Sequence, residues 1–305
     1  MKFVSYEIDE NQLSQALFYE SIYMLEGTES DGWVMTEAPM QPNLASGEWV
    51  PYRSYMNKSH LVPVASFPSY NLVVVNNVAE VYGRECHLTG CLPSDVKLEV
   101  VVATFLEGIS HSDGWWKIRM PFGTKSFGWI RVRDVHPLSE QPKGKELRHA
   151  LVERSKQLLG WYYFWGGRSA FVKDLWNDKV ILTGVDCSGL VGTIYKSHGI
   201  LLPRDADPMF RKSQNVTDPT ALLPGDLFFF APTGRPTVHV THVMMYIGGD
   251  KLVESSVPSF ENNSTRIVTL RERFGYDLQE LKWGLSAKTN GDLIFWGRML
   301  EDSKI

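Results

Sequence analysis

Gly184-Val185-Asp186-Cys187-Ser188-Gly189-Leu190-Val191 is the stretch on which the reading of this chain turns. Leu190, Val191, Ile194 and Tyr195 recur at helical spacing and Gly199 supplies a left-handed stop, so a helix begins near Cys187 and holds that cysteine in its first turn. The unpaired N–H groups and positive dipole end of a helix favour the thiolate, the form of cysteine that attacks a carbonyl. Alone, a cysteine at a helix start is more often a small buried hydrophobe than a nucleophile. The chain downstream of it changes that balance. Pro224-Gly-Asp-Leu-Phe-Phe-Phe230 reads as a turn feeding a buried strand, Val240-Thr-His-Val-Met-Met-Tyr-Ile-Gly248 as a second strand carrying His242, and Lys251-Leu-Val-Glu-Ser-Ser256 as a third carrying Glu254. A helix bearing a thiol, succeeded by antiparallel strands bearing an imidazole and a polar partner, is the order that a nucleophile, its base and the group that orients the base require.

Five stretches carry a resemblance to a known family: Tyr162-Tyr-Phe-Trp-Gly-Gly167, Val185-Asp-Cys-Ser-Gly-Leu-Val191, Leu202-Pro-Arg-Asp-Ala206, Leu223-Pro-Gly-Asp-Leu227 and Thr241-His-Val-Met-Met-Tyr-Ile-Gly248. In order and spacing they resemble the NlpC-type cysteine peptidases of bacterial cell-wall peptides. The resemblance covers about half the chain, from near Leu147 to the C-terminus, and implies a papain-like α+β domain. It makes Cys187 the nucleophile and His242 the general base. The family's third position is usually histidine, and here Glu254 stands there; a carboxylate can hold the second ring N–H and stabilise the imidazolium. Tyr163 resembles a family tyrosine close to the nucleophile, whose hydroxyl helps hold the oxyanion beside the Cys187 N–H. Trp165, by contrast, reads as a core aromatic. Arg204 and Asp205 resemble the family's substrate-side polar pair, or form a local ion pair, and Ser188 also falls on the substrate side. The segment from Arg168 to Thr183, with Phe171, Leu175, Trp176, Val180 and Ile181, is long for the family and reads as a partly packed excursion.

The N-terminal half has another texture, with short alternating runs and turn signals. Leu72-Val-Val-Val75, Val96 to Val102, Gly114-Trp-Trp-Lys-Ile118 and Gly128-Trp-Ile-Arg-Val132 are spaced as strands of a small barrel and resemble the bacterial SH3-like domain. Ala16 to Leu25, Asp31-Gly-Trp-Val-Met35 and Met56 to Val62 look like a degenerate earlier copy. The polar stretch Leu138 to Glu146, with Pro142 and Gly144, reads as a linker. The expected architecture is therefore multidomain: two small all-β SH3-like barrels (1–65 and 66–138) ahead of an NlpC-type catalytic domain (147–305).

Two such barrels before an NlpC-type domain resemble the γ-D-glutamyl-L-diamino acid endopeptidase subgroup, of the dipeptidyl-peptidase VI type. In that subgroup the first barrel walls off one end of the cleft, which then admits only peptides with a free N-terminal L-alanine. A buried ammonium needs a carboxylate, or its desolvation forbids binding. Asp186 is the expected anion, with Glu20 and Tyr52 contributed by the first barrel.

A chain of 305 residues, 43% hydrophobic and with a formal net charge of −4, has material for two or three cores and no electrostatic reason to bind nucleic acid. Phosphate-loop and zinc-finger spacings are missing, and His239 and His242, three apart on a strand, point to opposite faces, which disfavours a shared metal. No cofactor is expected. Met1-Lys-Phe-Val-Ser-Tyr-Glu-Ile-Asp-Glu10 lacks the apolar run of a signal peptide and nothing later is long enough to cross a membrane, so the expectation is cytoplasmic, or periplasmic or secreted if a leader has been removed. Three cysteines fit a reducing compartment; Cys86 and Cys91 could pair, although two buried free thiols in a barrel is the plainer reading. The expected function is hydrolysis of the γ-D-glutamyl bond to the diamino acid in a murein tripeptide or tetrapeptide, L-Ala-γ-D-Glu-L-Lys or its meso-diaminopimelate counterpart. The competing readings are an amidase or acyltransferase on the same fold, and a wall-binding protein with weak catalysis.

Overall fold

Prolines hide the first long element of the chain from a simple alternating pattern. The computed structural model describes residues 12–84, 92–123, 126–169, 171–173, 180–182, 184–257 and 264–300; Cys86 and Cys91 lie outside them. Strand β1 (Tyr23–Met24) pairs with β2 (Trp33–Ala45), and β2 pairs with β3 (Glu48–Asn57). Val34, Thr36, Ala38 and Met40 are buried at alternate positions, but the register jumps from Ala38↔Tyr52 to Pro42↔Pro51. Proline cannot donate to a ladder, so the irregularity falls where Pro39, Pro42 and Pro51 sit. Beyond it the hairpin reaches the C-terminal half, where the Arg204 N–H donates to the Pro42 carbonyl at 2.9 Å. The Ala16 to Leu25 run, expected to be extended, is mostly irregular, with a turn at Phe18 and Tyr19; only Tyr23 and Met24 are in a strand, and Tyr19 adopts a left-handed φ of 66°.

The next strands are β4 (Leu72–Val74), β5 (Val78–Tyr82), β6 (Val96–Val101), β7 (Phe105–Leu106), β8 (Gly108–Ser112), β9 (Trp115–Arg119), β10 (Phe127–Arg131) and β11 (Val135–Pro137). Among the described residues they form a five-stranded sheet, β6-β5-β10-β9-β8, and a three-stranded one, β11-β4-β7, rather than one closed ladder. Leu72, Val74, Val81, Val100, Leu106, Ile118 and Ile130 fill the space between them.

Helix α1 (Gly144–Gln157) opens the C-terminal half inside the stretch expected to be a linker. A short pair, β12 (Phe171–Lys173) and β13 (Val180–Leu182), accounts for the described part of the excursion before the cysteine. Helices α2 (Cys187–Lys196) and α3 (Ala206–Lys212) come next, then β14 (Leu227–Ala231), β15 (His242–Gly248), β16 (Lys251–Ser256), β17 (Ser264–Thr269), α4 (Leu270–Phe274), β18 (Leu285–Ser286) and β19 (Leu293–Gly297). The strands make one antiparallel sheet in the order β17-β16-β15-β14-β19-β18.

The phenylalanine run is explained by β14 lying inside this sheet with both faces covered. Leu227, Phe229 and Ala231 join the cluster that packs α2 through Leu190, Val191 and Ile194. Phe228 and Phe230 point the other way, into a second cluster with Phe274 and Trp296. All five β14 residues are buried. Burial of each large apolar side chain contributes about 1.5–3 kcal/mol, and truncation adds a cavity penalty. Phe229→Ala should therefore cost about 3–5 kcal/mol. A urea unfolding series should show the lower midpoint, and an unchanged midpoint would contradict this packing.

Candidate active site

The site begins with glycines that let three backbone segments touch. A Cβ on Gly189 would run into the Gly167 carbonyl oxygen, and one on Gly184 into that of Tyr162. These contacts dock the Trp-Gly-Gly turn against the start of α2 and give the spaced glycines of both motifs a physical cause. Asp186 is the N-cap of α2: its Oδ1 accepts the Gly189 N–H at 2.6 Å and its Oδ2 the Gly166 N–H at 3.0 Å. Cys187, the first helical residue, is half-buried and a free thiol. Its N–H belongs to the first turn, where no intrahelical acceptor exists, so it is available to an oxyanion.

His242 stands at the start of β15 beside this thiol, and Glu254 faces it from β16. The His242 Nε2 and Glu254 Oε2 are 3.0 Å apart, which leaves Nδ1 for the Cys187 sulfur. Burial alone would disfavour the imidazolium, but the hydrogen bond and charge of Cys187 and then of Glu254 outweigh it and push the His242 pKa up to about 9. Glu254 is fully buried, which opposes ionisation; His242, Arg273 and Arg266 overcome this and hold it down at about 2. The stability from the raised histidine is present below about pH 6.5 and is lost as pH rises through about 9, whereas that from the glutamate is present above about pH 4.5 and is lost as pH falls towards 2. The ring is thus ready to hold a proton taken from the neighbouring thiol.

Removing the orienting charge while keeping its shape separates turnover from binding. Glu254→Gln forfeits a charge-assisted hydrogen bond of roughly 1.5–3 kcal/mol, so kcat should fall about 10- to 100-fold with KM within about threefold. Glu254→His should recover part of the rate. Steady-state kinetics with a murein tripeptide provide the check, and an unchanged kcat in Glu254→Gln would detach this residue from the reaction.

The remaining candidates fall into two groups. Tyr163 lies near the nucleophile; burial first, then negative charge at Cys187 and Asp186, raise its phenol well above the usual range, so it stays a donor. Asp205 is half-buried, and burial together with the charge of Asp186 raises its pKa; Tyr52, from β3, hydrogen-bonds to it. Asp186 and Glu20, the carboxylates expected to receive a substrate ammonium, each carry ion pairs within the protein. Asp186 takes Arg204 through both oxygens, at 2.7 and 3.1 Å, besides Ser188 Oγ at 3.1 Å and its two backbone donors. The Arg204 guanidinium also donates to Ser188 Oγ and to Ser14 Oγ, and it stands 4.0 Å from Asp205. Glu20 is buried and accepts from Arg168 at 2.9 Å through each oxygen, from Lys196, and from Gln41. Glu20 ties the N-terminal region to the catalytic half, and Arg204, held by Asp186, does so through Ser14. Trp165, expected in the core, is 49% exposed.

Sequence reasoning missed Arg266 and Arg273, which contact Glu254, and the Arg168–Glu20–Lys196 cluster. Alternation in Ser264-Thr-Arg-Ile-Val-Thr269 was the available signal, but only the Glu254↔Arg266 register places that arginine. Among the described residues no three His, Cys, Asp or Glu side chains gather as a metal cage, and no helix is long and apolar enough to cross a membrane.

Residues 160–274 match the NlpC/P60 family. Over 262 residues, 85% of this chain and 76% of the relative, it is 29% identical to a γ-D-glutamyl-L-lysine dipeptidyl-peptidase of Bacillus subtilis. It is 37% identical to the protein of the same name from Bacillus cereus over 160 residues, 52% of this chain and 43% of that one. A crystal structure of an NlpC/P60 family protein from Bacillus cereus superposes with a TM-score of 0.67 and 28% identity, covering 84% of this chain and 76% of the other.

Proposed function

We propose that this chain, whose residues 160–274 match the NlpC/P60 family, is a cysteine peptidase of peptidoglycan peptides that cleaves the γ-D-glutamyl bond to the diamino acid in murein peptides with a free N-terminal L-alanine. The observation that carries this reading is the β2–β3 hairpin. It is fastened to Arg204 through the Pro42 carbonyl and brings Tyr52 onto Asp205, beside the helix that bears Cys187. A peptide reaching the thiol from that side meets a wall and a carboxylate, the chemistry that selects a chain end with an ammonium and rejects a continuing amide. Asp205, less firmly engaged than Asp186, is the anion we assign to it, with Tyr52 as its partner.

In this reading the N-terminal strands are two SH3-like units, 1–65 and 66–138, the first of which serves specificity. His242 takes the Cys187 proton and the thiolate attacks the γ-carbonyl. The oxyanion is held by the Cys187 N–H and the Tyr163 hydroxyl, the imidazolium protonates the departing amine, and water hydrolyses the thioester. Comparing the hydrolysis of L-Ala-γ-D-Glu-L-Lys with that of its N-acetylated form tests the proposal. Equal rates would overturn it.

A further inference from the structure

Glu254 is held by more cations than its burial requires. It is fully buried, and a single imidazolium would neutralise it. Instead Oε1 accepts two N–H groups of Arg266, at 2.8 and 3.2 Å, while Oε2 accepts Arg273 Nε at 2.9 Å and His242 Nε2 at 3.0 Å. A carboxylate offers about four lone-pair sites, and all are used. Arg266 comes from β17, in register with Glu254, and Arg273 from α4, where its guanidinium lies over the Phe230 ring at 4.6 Å; Phe230 also stacks on His242. The ionisable groups that the described elements bring to this pair are Cys187 from α2, Glu254 from β16, Arg266 from β17 and Arg273 from α4, with Phe230 from β14 supplying an apolar wall. On β15 itself, His242 is the one ionisable side chain before Tyr246, and His239 just upstream is half-exposed against Asp207. Even with the thiolate counted, cations outnumber anions.

Arg266 and Arg273 keep 35% and 22% of their side chains exposed, so water carries part of the surplus charge, and both act on the same carboxylate that His242 uses. The imidazolium must surrender its proton to the leaving amine, and an acid held too tightly by its anion is a poor donor near neutral pH. We propose that Arg266 and Arg273 are positioning residues for the Cys187–His242 pair: they occupy the lone pairs of Glu254 that His242 does not use, fixing the direction of the ring, and they weaken its grip on the imidazolium. The proton balance is simple. It leaves Cys187 Sγ for His242 Nδ1, and passes from there to the amine nitrogen as the C–N bond breaks and the acyl thioester remains. The proposal rests on Cys187 and His242 being nucleophile and base, and is independent of which murein peptide is cut.

The test uses Arg266→Gln, Arg273→Gln and the two lysine variants. The His242 ring is titrated by NMR in the substrate-free enzyme, and the pH profile of kcat/KM is measured with L-Ala-γ-D-Glu-L-Lys. Loss of one positive charge near a partly solvated site should raise the imidazolium titration and the alkaline limb by about half to one pH unit. In each glutamine variant kcat should fall roughly tenfold with little change in KM, and the lysine variants should keep both limbs near those of the unaltered protein. A titration unmoved or lowered in a folded glutamine variant overturns the proposal, as does a lysine variant that behaves like glutamine. A glutamine variant that cannot fold, judged by circular dichroism, assigns that arginine to stability and removes it from the proposal. The NMR arm needs no peptide, so a wrong substrate silences only the kinetic arm.

Discussion

Cys187→Ala should lose at least five orders of magnitude in kcat, about 7 kcal/mol of transition-state stabilisation, while its melting temperature and its affinity for the peptide stay close to those of the unaltered protein. No other described group is placed to replace the sulfur. Tyr163 is held protonated by burial, and Ser188 shares its hydroxyl with Asp186 and Arg204. The side chain itself contributes little to packing, because it is a half-buried position at a helix start capped by its neighbour. Iodoacetamide should label Cys187 faster than Cys86 or Cys91, since the helix terminus and His242 favour its thiolate. Mass spectrometry of a brief labelling pulse together with single-turnover kinetics measures both effects. Turnover surviving in the alanine variant would remove Cys187 from the reaction.

Local chemistry makes much of the catalytic half legible in the sequence. The helix at Cys187 is announced by its apolar spacing and its glycine stop, both local in the chain, and the strands bearing His242 and Glu254 are short apolar runs bounded by turns. The features that escape such reading depend on distance along the chain. Glu20 reads as a surface or substrate residue until Arg168 and Lys196, about 150 and 176 residues away in sequence, are seen to enclose it. Asp186 reads as a free anion beside the nucleophile, yet a carboxylate flanking a helix start is also its natural cap, and Arg204 then uses the charge that remains. The β2–β3 hairpin is masked by three prolines that a central strand would not tolerate. Strand register, which sets Arg266 against Glu254, is a property of pairing and is invisible in either strand alone.

Acetylating the substrate's N-terminal amine should reduce kcat/KM about 10- to 30-fold, and the size of the effect comes from the carboxylate that then loses its ammonium. With free L-alanine, the ammonium compensates Asp205, whose carboxylate is half-buried, is raised in pKa by burial and the nearby charge of Asp186, and has Arg204 only at 4.0 Å. The acetyl group removes that charge and adds bulk against the hairpin wall; because the Asp205 side chain is 44% exposed and keeps its hydrogen bond to Tyr52, the lost charge-assisted contact is about 1.5–2 kcal/mol. Intact peptidoglycan, whose stem alanine is amide-linked, should resist for the same reason. Asp205→Asn should then slow the free tripeptide and leave the acetylated one nearly unchanged, narrowing the ratio from one side. Asp186→Asn should behave differently: it strands the buried Arg204 and puts an amide donor where the Gly166 N–H needs an acceptor, so its first symptom is a lower melting temperature. Competition kinetics of the two tripeptides on the three proteins distinguish these outcomes. A ratio near one in the unaltered protein, or a ratio unaffected by Asp205→Asn, would take the ammonium away from Asp205 and leave the hairpin as a brace between the two halves of the molecule.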